Sequence, residues 1–511
     1  MRLLWCALLL LAVHAGASAQ DAMPVVSSVG LRGNAEVKDE LLRRHIETAV
    51  GAPLSQSTVE RDIQALLTYY TGLGFPFAEV RIGVTLADTM DAPSADVLFT
   101  INEGPRVIVR EMSVQGNTVT QSGVIVREAR LSADEPFSQS KLDRLRRRLD
   151  RLQLFTSVGE LQLYLLNDSS ASRPVRNGGI LCTVEEGNMT TFDGVIGYVP
   201  GRTAQERGYL TGLVSLTMKN LFGTGRRVSA RWQRETASTQ ELELRYTEPW
   251  FLGVPLDLSA GYYQRKQDSL YVKDVLSGRG DYNLTDELTF SATVNSESIY
   301  PSTSVGYFTV FESSSLMLGG EIRYDTRDNS RVPTSGIRYS TSYQTGTKKI
   351  TGPAQYLLPT DTRNYFLRRV SVDLDLYLMP WRRHVFAAGG HGRQVSSTVL
   401  EISDMIQFGG SSTVRGYREN QFFGSRVAWT SLEYRYLTGR LSHVFVFADA
   451  GYFSRPEEPE RGVSQQERML YGYGIGARLE TGLGILGVSY ALGKGDTFSA
   501  GKIHFGIVNE F

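Results

Sequence analysis

The sequence predicts two small α+β modules, each of order β-α-α-β-β, followed by a 16-stranded antiparallel transmembrane β-barrel. Three observations carry that prediction. The N-terminal part repeats itself at a fixed offset, the remainder alternates polar and apolar residues at period two, and the connections between the alternating stretches switch between tight and long.

The 511-residue chain opens with Met1-Arg2, an apolar run from Leu3 to Val13 and the small-residue stretch Ala17-Ser18-Ala19. This is the pattern of a secretory signal peptide over residues 1–19. Its removal takes Arg2, so 54 − 1 = 53 basic residues face 54 acidic ones, and nothing in that balance favours nucleic acid. Cys6 leaves with the signal and sits too early for a lipoprotein attachment site, so Cys182 stands alone and no internal disulfide is expected. No later stretch of about 18 uncharged apolar residues offers a transmembrane helix. An exported chain of this kind is soluble in the periplasm, secreted, or a membrane barrel.

The repeat has an offset of 83 residues. Gly33-Asn34 recurs as Gly116-Asn117 (116 − 33 = 83), Pro53-Leu54-Ser55-Gln56-Ser57 as Pro136-Phe137-Ser138-Gln139-Ser140, and Glu103-Gly104 as Glu186-Gly187. One offset kept at three places marks tandem modules, at 24–106 and 107–188. Each begins with a short apolar alternation (Val29, Leu31; Met112, Val114) that ends in a Gly-Asn turn. Helical patterns follow over 37–50 and 120–130. Ser57 and Ser140, with Glu60 and Asp143 three residues on, read as N-caps of second helices over 59–72 and 141–154. Strands over 78–86 and 96–101, and over 159–166 and 179–184, close the two modules. The basic run Arg144, Arg146, Arg147, Arg148, Arg151 reads as a solvated helix face, with lipid headgroups or a barrel rim as the sharper alternative.

The barrel is assigned to residues 189–511. From Thr191, polar Glu241, Glu243 and Arg245 alternate with Leu242, Leu244 and Tyr246, and Asp373 and Asp375 with Val372, Leu374 and Leu376. Alternation alone leaves open which face points outward. About sixteen such strands are joined by tight turns at 221–225, 249–253, 284–286, 329–335, 380–382, 438–440 and 481–482, and by long loops at 200–207, 296–313, 346–363, 394–425, 453–468 and 493–500. Short turns on one side and long loops on the other are the mark of a bacterial outer-membrane barrel. The last strand carries Ile503, Phe505 and Ile507 at alternate positions and ends in Phe511, with Asn509 breaking the alternation.

The longest break, 394–425, holds Phe408-Gly409-Gly410-Ser411-Ser412-Thr413-Val414-Arg415-Gly416-Tyr417. One fixed charge, Arg415, stands among glycines that let the backbone pass close to a neighbour, so the loop is read as folded into the barrel and pinned by that arginine.

Several motifs in sequence order then carry a resemblance: the tandem repeats, Asn220-Leu221-Phe222-Gly223-Thr224-Gly225, Glu248-Pro249-Trp250-Phe251, Asp325-Thr326-Arg327-Asp328-Asn329 with Pro333-Thr334-Ser335-Gly336, Val414-Arg415-Gly416-Tyr417, and Phe447-Ala448-Asp449-Ala450-Gly451. Over nearly all its mature length the chain resembles the BamA/TamA outer-membrane assembly superfamily, which joins POTRA repeats to a bacterial surface antigen barrel. The resemblance implies that the modules are periplasmic POTRA domains, that Val414, Arg415, Gly416 and Tyr417 form the tip of an inward loop, and that Glu433 and Asp449 are the acidic contacts of Arg415. It also implies a bacterial outer-membrane location and an insertase that folds client barrels through POTRA capture and a lateral seam between first and last strands. Gly194 and Gly197 in the first strand, Gly501 and Gly506 in the last, and the closing Phe511 are compatible with a weak seam; the glycines are equally compatible with barrel curvature.

No catalytic constellation appears: the five histidines of the mature chain (His45, His384, His391, His443, His504) lie outside any H-E-x-x-H or G-x-S-x-G motif. No enzyme activity, cofactor or metal site is expected. Gly482-x-Gly484-x-x-Gly487 lacks the helix of a dinucleotide fingerprint and reads as hairpin packing. Asp325, Arg327 and Asp328 read as rim charges that organise a turn, and Trp250 and Trp381 as an interfacial belt or as turn packing. The expected partners are unfolded outer-membrane barrel proteins, outer-membrane lipid, and periplasmic chaperones or accessory lipoproteins. A two-partner-secretion-type polypeptide exporter is the alternative function: two POTRA copies favour it, while the short run before the first repeat leaves no room for a plug helix. A passive pore is the third reading.

Overall fold

The computed structural model describes residues 23–508, save 89–92, 132–134, 167–174, 200–208, 303–309, 331, 354–355, 357–361, 458–463 and 482–483. The predicted signal peptide, the connection 200–207, Asn509 and Phe511 therefore lie outside the described residues. The chain divides into two compact units: Met1–Ser113 with Ala129–Leu145 and Glu160–Cys182, and Val114–Glu128 with Arg146–Gly159 and Thr183–Phe511.

In the first repeat, β1 (Val25–Arg32), α1 (Asp39–Arg43), α2 (Gln56–Gly72), β2 (Glu79–Asp88) and β3 (Pro93–Asn102) follow in the predicted order. The strands form a sheet in the order β1-β3-β2, with β1 parallel to β3. On α2, Val59, Asp62, Leu66 and Tyr70 recur every three or four residues and are buried, against the alternate β3 residues Val97, Phe99 and Ile101. The second repeat comprises β4 (Arg106–Gln115), α3 (Ser122–Ala129), β5 (Glu135–Pro136), α4 (Gln139–Leu152), β6 (Phe155–Val158), β7 (Gln162–Leu165) and β8 (Val175–Glu186).

The repeated motifs do the same work twice. Gly33 and Gly116 have φ of 91° and 87°, and a Cβ on either would overlap a carbonyl of the closing strand, Ile101 O in one copy and Val184 O in the other. Only glycine meets both demands. The next residue folds the turn, Asn34 Nδ2 donating to Val37 O and Asn117 Nδ2 to Thr120 O, each at 2.8 Å. The acid of the Glu-Gly pair then takes the free backbone N–H groups. Glu103 accepts from Glu36 and Val37, and Glu186 from Thr118, Val119 and Thr120.

The helix bounds differ from those predicted. Residues 37–50 yield only the five-residue α1, because the buried Asp62 of α2 accepts from Glu47 N at 2.7 Å and Thr48 N at 2.9 Å and so holds that segment in a turn. Ser55, with no side-chain cap bond, is the N-cap of α2, so Ser57 lies inside the first turn. Ser140 is likewise inside α4. Glu60 and Asp143 accept from Gln56 and Gln139 side chains in place of closing a capping box.

The barrel sheet contains β9 (Thr190–Val199), β10 (Tyr209–Leu221), β11 (Arg226–Arg234), β12 (Gln240–Glu248), β13 (Leu256–Gln267), β14 (Tyr271–Asn283), β15 (Leu288–Pro301), β16 (Glu312–Asp325), β17 (Gly336–Gly352), β18 (Asn364–Trp381) and β19 (His384–Ser396). After the small hairpin β20 (Ile406–Phe408) and β21 (Phe422–Gly424) come β22 (Arg426–Leu437), β23 (His443–Arg455), β24 (Gln466–Thr481), β25 (Gly484–Gly493) and β26 (Lys502–Val508). Sixteen antiparallel strands run in sequence order from β9 to β26, and β20-β21 stands apart as its own two-stranded sheet. Several strands run further into the long loops than predicted: polar Lys348, Lys349 and Thr347 extend β17 because Ser315, Ser314 and Leu316 of β16 pair them. The outward face is settled by β18, where Val370, Val372, Leu374, Leu376 and Leu378 are exposed and Ser371, Asp373 and Asp375 turn inward.

Candidate functional site

Between β19 and β22 the chain runs for 29 residues, 397–425, as the inward loop. It starts three residues later than predicted, because Gln394 and Ser396 still pair within the barrel. Its stem is the β20-β21 hairpin, whose Phe408 is fully buried with Val414, Val427, Phe453 and Leu470. Gly409 and Gly410, at φ of 108° and 103°, turn the chain sharply, and Gly410 N donates to Val414 O at 3.1 Å. This turn aims Arg415 at the wall.

The Arg415 guanidinium makes a two-bond fork with Asp449, Nε to Oδ2 and Nη2 to Oδ1, both at 2.7 Å. Nη1 donates to Glu433 Oε1 at 2.6 Å, Nη2 also donates to Ser431 Oγ at 2.8 Å, and the backbone N of Arg415 adds a third bond to Asp449 at 3.0 Å. Glu433 uses its second oxygen on Arg435. Two cations thus meet two carboxylates, all buried, an arrangement in which removing one partner strands charge in a low-dielectric site. The ring of Phe447 lies 3.6 Å below the guanidinium carbon.

Close backbone approach completes the seat. A Cβ on Gly472 would overlap Arg415 O, and one on Gly416 (φ 94°) would lie 2.6 Å from Gly493 N. Tyr417 Oη donates to Tyr471 O and accepts from Lys494 N, each at 3.2 Å. Gly416 N donates to His504 Nε2 of β26 at 3.2 Å, so the tip touches the final strand. The structure therefore places Val414, Arg415, Gly416, Tyr417, Glu433 and Asp449 together. The sequence reading gave no role at this seat to Ser431, Phe447, Gly472 or His504, although Phe447 lies in the motif that carries Asp449; for Gly472 the glycines at 472, 474 and 476 on one face of β24 were the available signal.

The other residues singled out from sequence lie elsewhere. Gly194 pairs with Val214, Gly197 with Thr211, and Gly506 with Gly487, each in a ladder with its neighbouring strand. Gly501 is not in the last strand; it caps a short 3-10 turn before Lys502, where a Cβ would strike the Tyr490 ring. His391 Nδ1 donates to Asp373 Oδ1 at 2.8 Å and its ring stacks on Trp429. Arg327 forks onto Asp325, and Asp328 accepts from Thr334 N and Ser335 N, which builds the β16-β17 turn. The two tryptophans part company: Trp381 is 66% exposed on the apolar face, whereas Trp250 Nε1 donates to Glu128 Oε1 of α3 at 2.7 Å.

The same helix, with the two residues that lead into it, explains the Asn220-to-Gly225 motif. Asn220 Nδ2 donates to Thr120 Oγ1 at 2.9 Å, Gln121 N to Gly223 O at 2.8 Å, and Arg127 Nη2 to Thr224 O at 3.1 Å. Of the basic run on α4, Arg148 Nε reaches Asp286 Oδ1 at 2.5 Å and Arg151 donates to Asp286 O. Two of its five arginines thus sit on a barrel turn.

A barrel of sixteen strands with an arginine-tipped loop seated inside it, preceded by α+β repeats, defines a class of outer-membrane protein. Residues 220–511 match the Omp85 superfamily domain and residues 24–104 match POTRA, the surface antigen variable number repeat. The chain belongs to the Omp85 superfamily. It is an outer-membrane protein with periplasmic POTRA repeats. It is similar to the outer membrane protein assembly factor BamA of Nitratidesulfovibrio vulgaris, 22% identical over 414 residues, which are 74% of this chain and 47% of that protein. BamA of Neisseria meningitidis serogroup B is 26% identical over 198 residues, 38% of this chain and 23% of that protein. The chain thus spans about half the length of the first relative and less of the second. Among solved structures, BamA from Haemophilus ducreyi lacking POTRA domains 1-3 superposes with a TM-score of 0.57 at 16% identity, covering 94% of this chain and 98% of that one. CdiB from Escherichia coli gives 0.55 at 13% identity, covering 94% and 89%.

Proposed function

We propose that the protein is an insertase for outer-membrane β-barrel proteins, working without covalent chemistry or a nucleotide. Unfolded client strands reach the periplasm with unsatisfied backbone groups and cannot enter lipid until those are paired. The observation that carries the proposal is the end of the barrel sheet: among the described residues the strand order runs from β9 to β26 and no ladder joins those two strands. Terminal strands without a ladder between them are the place to open an edge, and an opened edge templates an incoming strand by β-augmentation. The edge strand β2 of the first repeat, with exposed Val84 and Leu86, offers a capture surface of the same kind. Accessory lipoproteins and periplasmic chaperones enter as partners of the repeats. The similarity to assembly factors supports this reading.

The test is disulfide capture from cysteines placed at the exposed positions Phe192 of β9 and Ile503 of β26. Cys182 is buried and its thiol is pushed up to about 11 by that burial, which keeps the background low. Adducts with many nascent barrel proteins support the insertase. Adducts with one secreted polypeptide support the exporter instead, and no adducts overturn both.

A further inference from the structure

The inward loop has a second anchor, on a different part of the wall. Lys348 of β17 points into the lumen and is 2% exposed. Its Nζ donates to Glu401 Oε2 at 2.6 Å and to Asp404 Oδ2 at 2.7 Å, both in the first stretch of the loop. The two acids are fixed in turn: Glu401 N donates to Asp404 Oδ2 at 3.1 Å and Asp404 N to Glu401 O at 2.9 Å. Glu401 Oε1 also accepts from Phe311 N at 2.6 Å, which joins the connection before β16 to the same knot.

Around this ion cluster the loop is apolar. Val399 is buried with Phe311, Ile350 and Tyr365. Leu400 and Met405 are buried with Met317, Leu367 and Val395, and Ile402 packs against Tyr271, Ile299 and Val310. The strand residues concerned stand at the ends of β14 to β19 remote from the tight turns. The segment 399–405 therefore fills the lumen at its outer end with greasy side chains, and a single ammonium bridges its two carboxylates.

We infer that Lys348 is a positioning residue that seats segment 399–405 as the seal of the outer mouth, independently of the Arg415 anchor. The insertase reading does not require this seal, and the seal does not require insertase activity. Without the ammonium, Glu401 and Asp404 are stranded beside apolar wall, and the segment leaves for water.

The experiment uses the full chain in planar bilayers and in cells, with a cysteine at Val399 labelled by a maleimide too large to enter a closed lumen. In Lys348→Met, conductance and Val399→Cys labelling rise roughly tenfold or more, and both stay at the starting level in Lys348→Arg. Heat-modifiable migration certifies that each variant is folded. Should Lys348→Met fail that check, Asp404→Asn decides in its place and is expected to raise both readouts less. Unchanged conductance and labelling in the folded variant overturn the inference, whatever the client assembly assay reports. Loss of client assembly with unchanged labelling counts against the seal and leaves the insertase reading standing.

Discussion

Arg415 and Asp449 share three hydrogen bonds: two from the guanidinium at 2.7 Å and one from the Arg415 backbone N at 3.0 Å. One carboxylate thus fixes both the side chain and the main chain of the loop tip, so side-chain charge alone does not reproduce the contact.

Arg415→Lys is accordingly expected to behave much like Arg415→Ala. An ammonium cannot make the fork to Asp449 while also reaching Glu433 and Ser431. Both variants lose about 3–5 kcal/mol of local stabilisation. Proteolysis within 409–421 rises in both while heat-modifiable migration shows a folded barrel, and client assembly falls. Equal protection of the lysine variant and the unsubstituted protein contradicts the role given to the fork.

Gly472→Ala tests the seat from the opposite side. Its Cβ would overlap Arg415 O, a backbone atom that cannot swing away. The loop tip is expected to become as protease-sensitive as in Arg415→Ala. Gly392→Ala, at a strand glycine with open space around its would-be Cβ, is the control and should leave the cleavage pattern unchanged.

Glu186 gives a pH dependence that can be read in the second repeat. Burial works to raise its carboxyl, but the Thr118 and Thr120 side chains and the backbone N–H groups of Val119 and Thr120 outweigh this and hold it at about 2. A folded value below the ordinary 4.5 means that its contribution is complete above 4.5 and fades as the pH falls toward about 2. Hydrogen exchange at the Val119 and Thr120 amides should be faster in Glu186→Gln than in the unsubstituted protein at pH 6. That difference should shrink as the pH approaches 2, and a constant difference would count against the assignment.

The Arg148–Asp286 pair is nearly buried on both sides, with side chains 15% and 5% exposed. Arg148→Glu is expected to loosen the end of α4 from the β14-β15 turn, at a cost of about 2–5 kcal/mol. The double exchange Arg148→Asp with Asp286→Arg should recover part of that loss. Amide exchange over 146–153 reports it, and equal exchange in the single and double variants would show that the pair does not hold α4 to the turn.

Much of this is legible in the sequence alone. The 83-residue offset is visible because each repeat solves the same turn problem with the same Gly-Asn and Glu. The partners of Arg415 follow from the family resemblance; the ladder alone puts Ser431 opposite Asp449 and says nothing of a loop 16 to 34 residues away in sequence. What stayed hidden has a common cause. The shortened α1 depends on Asp62, 14 and 15 residues ahead, and the Asn220 turn depends on Thr120, 100 residues back. Local pattern carries no trace of such tertiary bonds. The polar ends of β17 read as loop for a related reason: pairing with Ser314 and Ser315 outweighs composition.

The Gly-Asn turn and its acid lie 70 residues apart in both repeats (103 − 33 and 186 − 116), and every bond described between them is internal to its copy. In this turn each copy closes on its own atoms among the described residues, while Val107 N of the second copy donates to Gly74 O of the first at 2.8 Å. A gene that gains or sheds a whole copy upstream thus leaves the Gly-Asn turns of the survivors intact and has one backbone bond at the junction to restore. Among the described residues only the second copy also bonds the Asn220 turn, through Thr120 and Gln121 ahead of α3, so tolerance to duplication should be greatest at the amino-terminal end of the array.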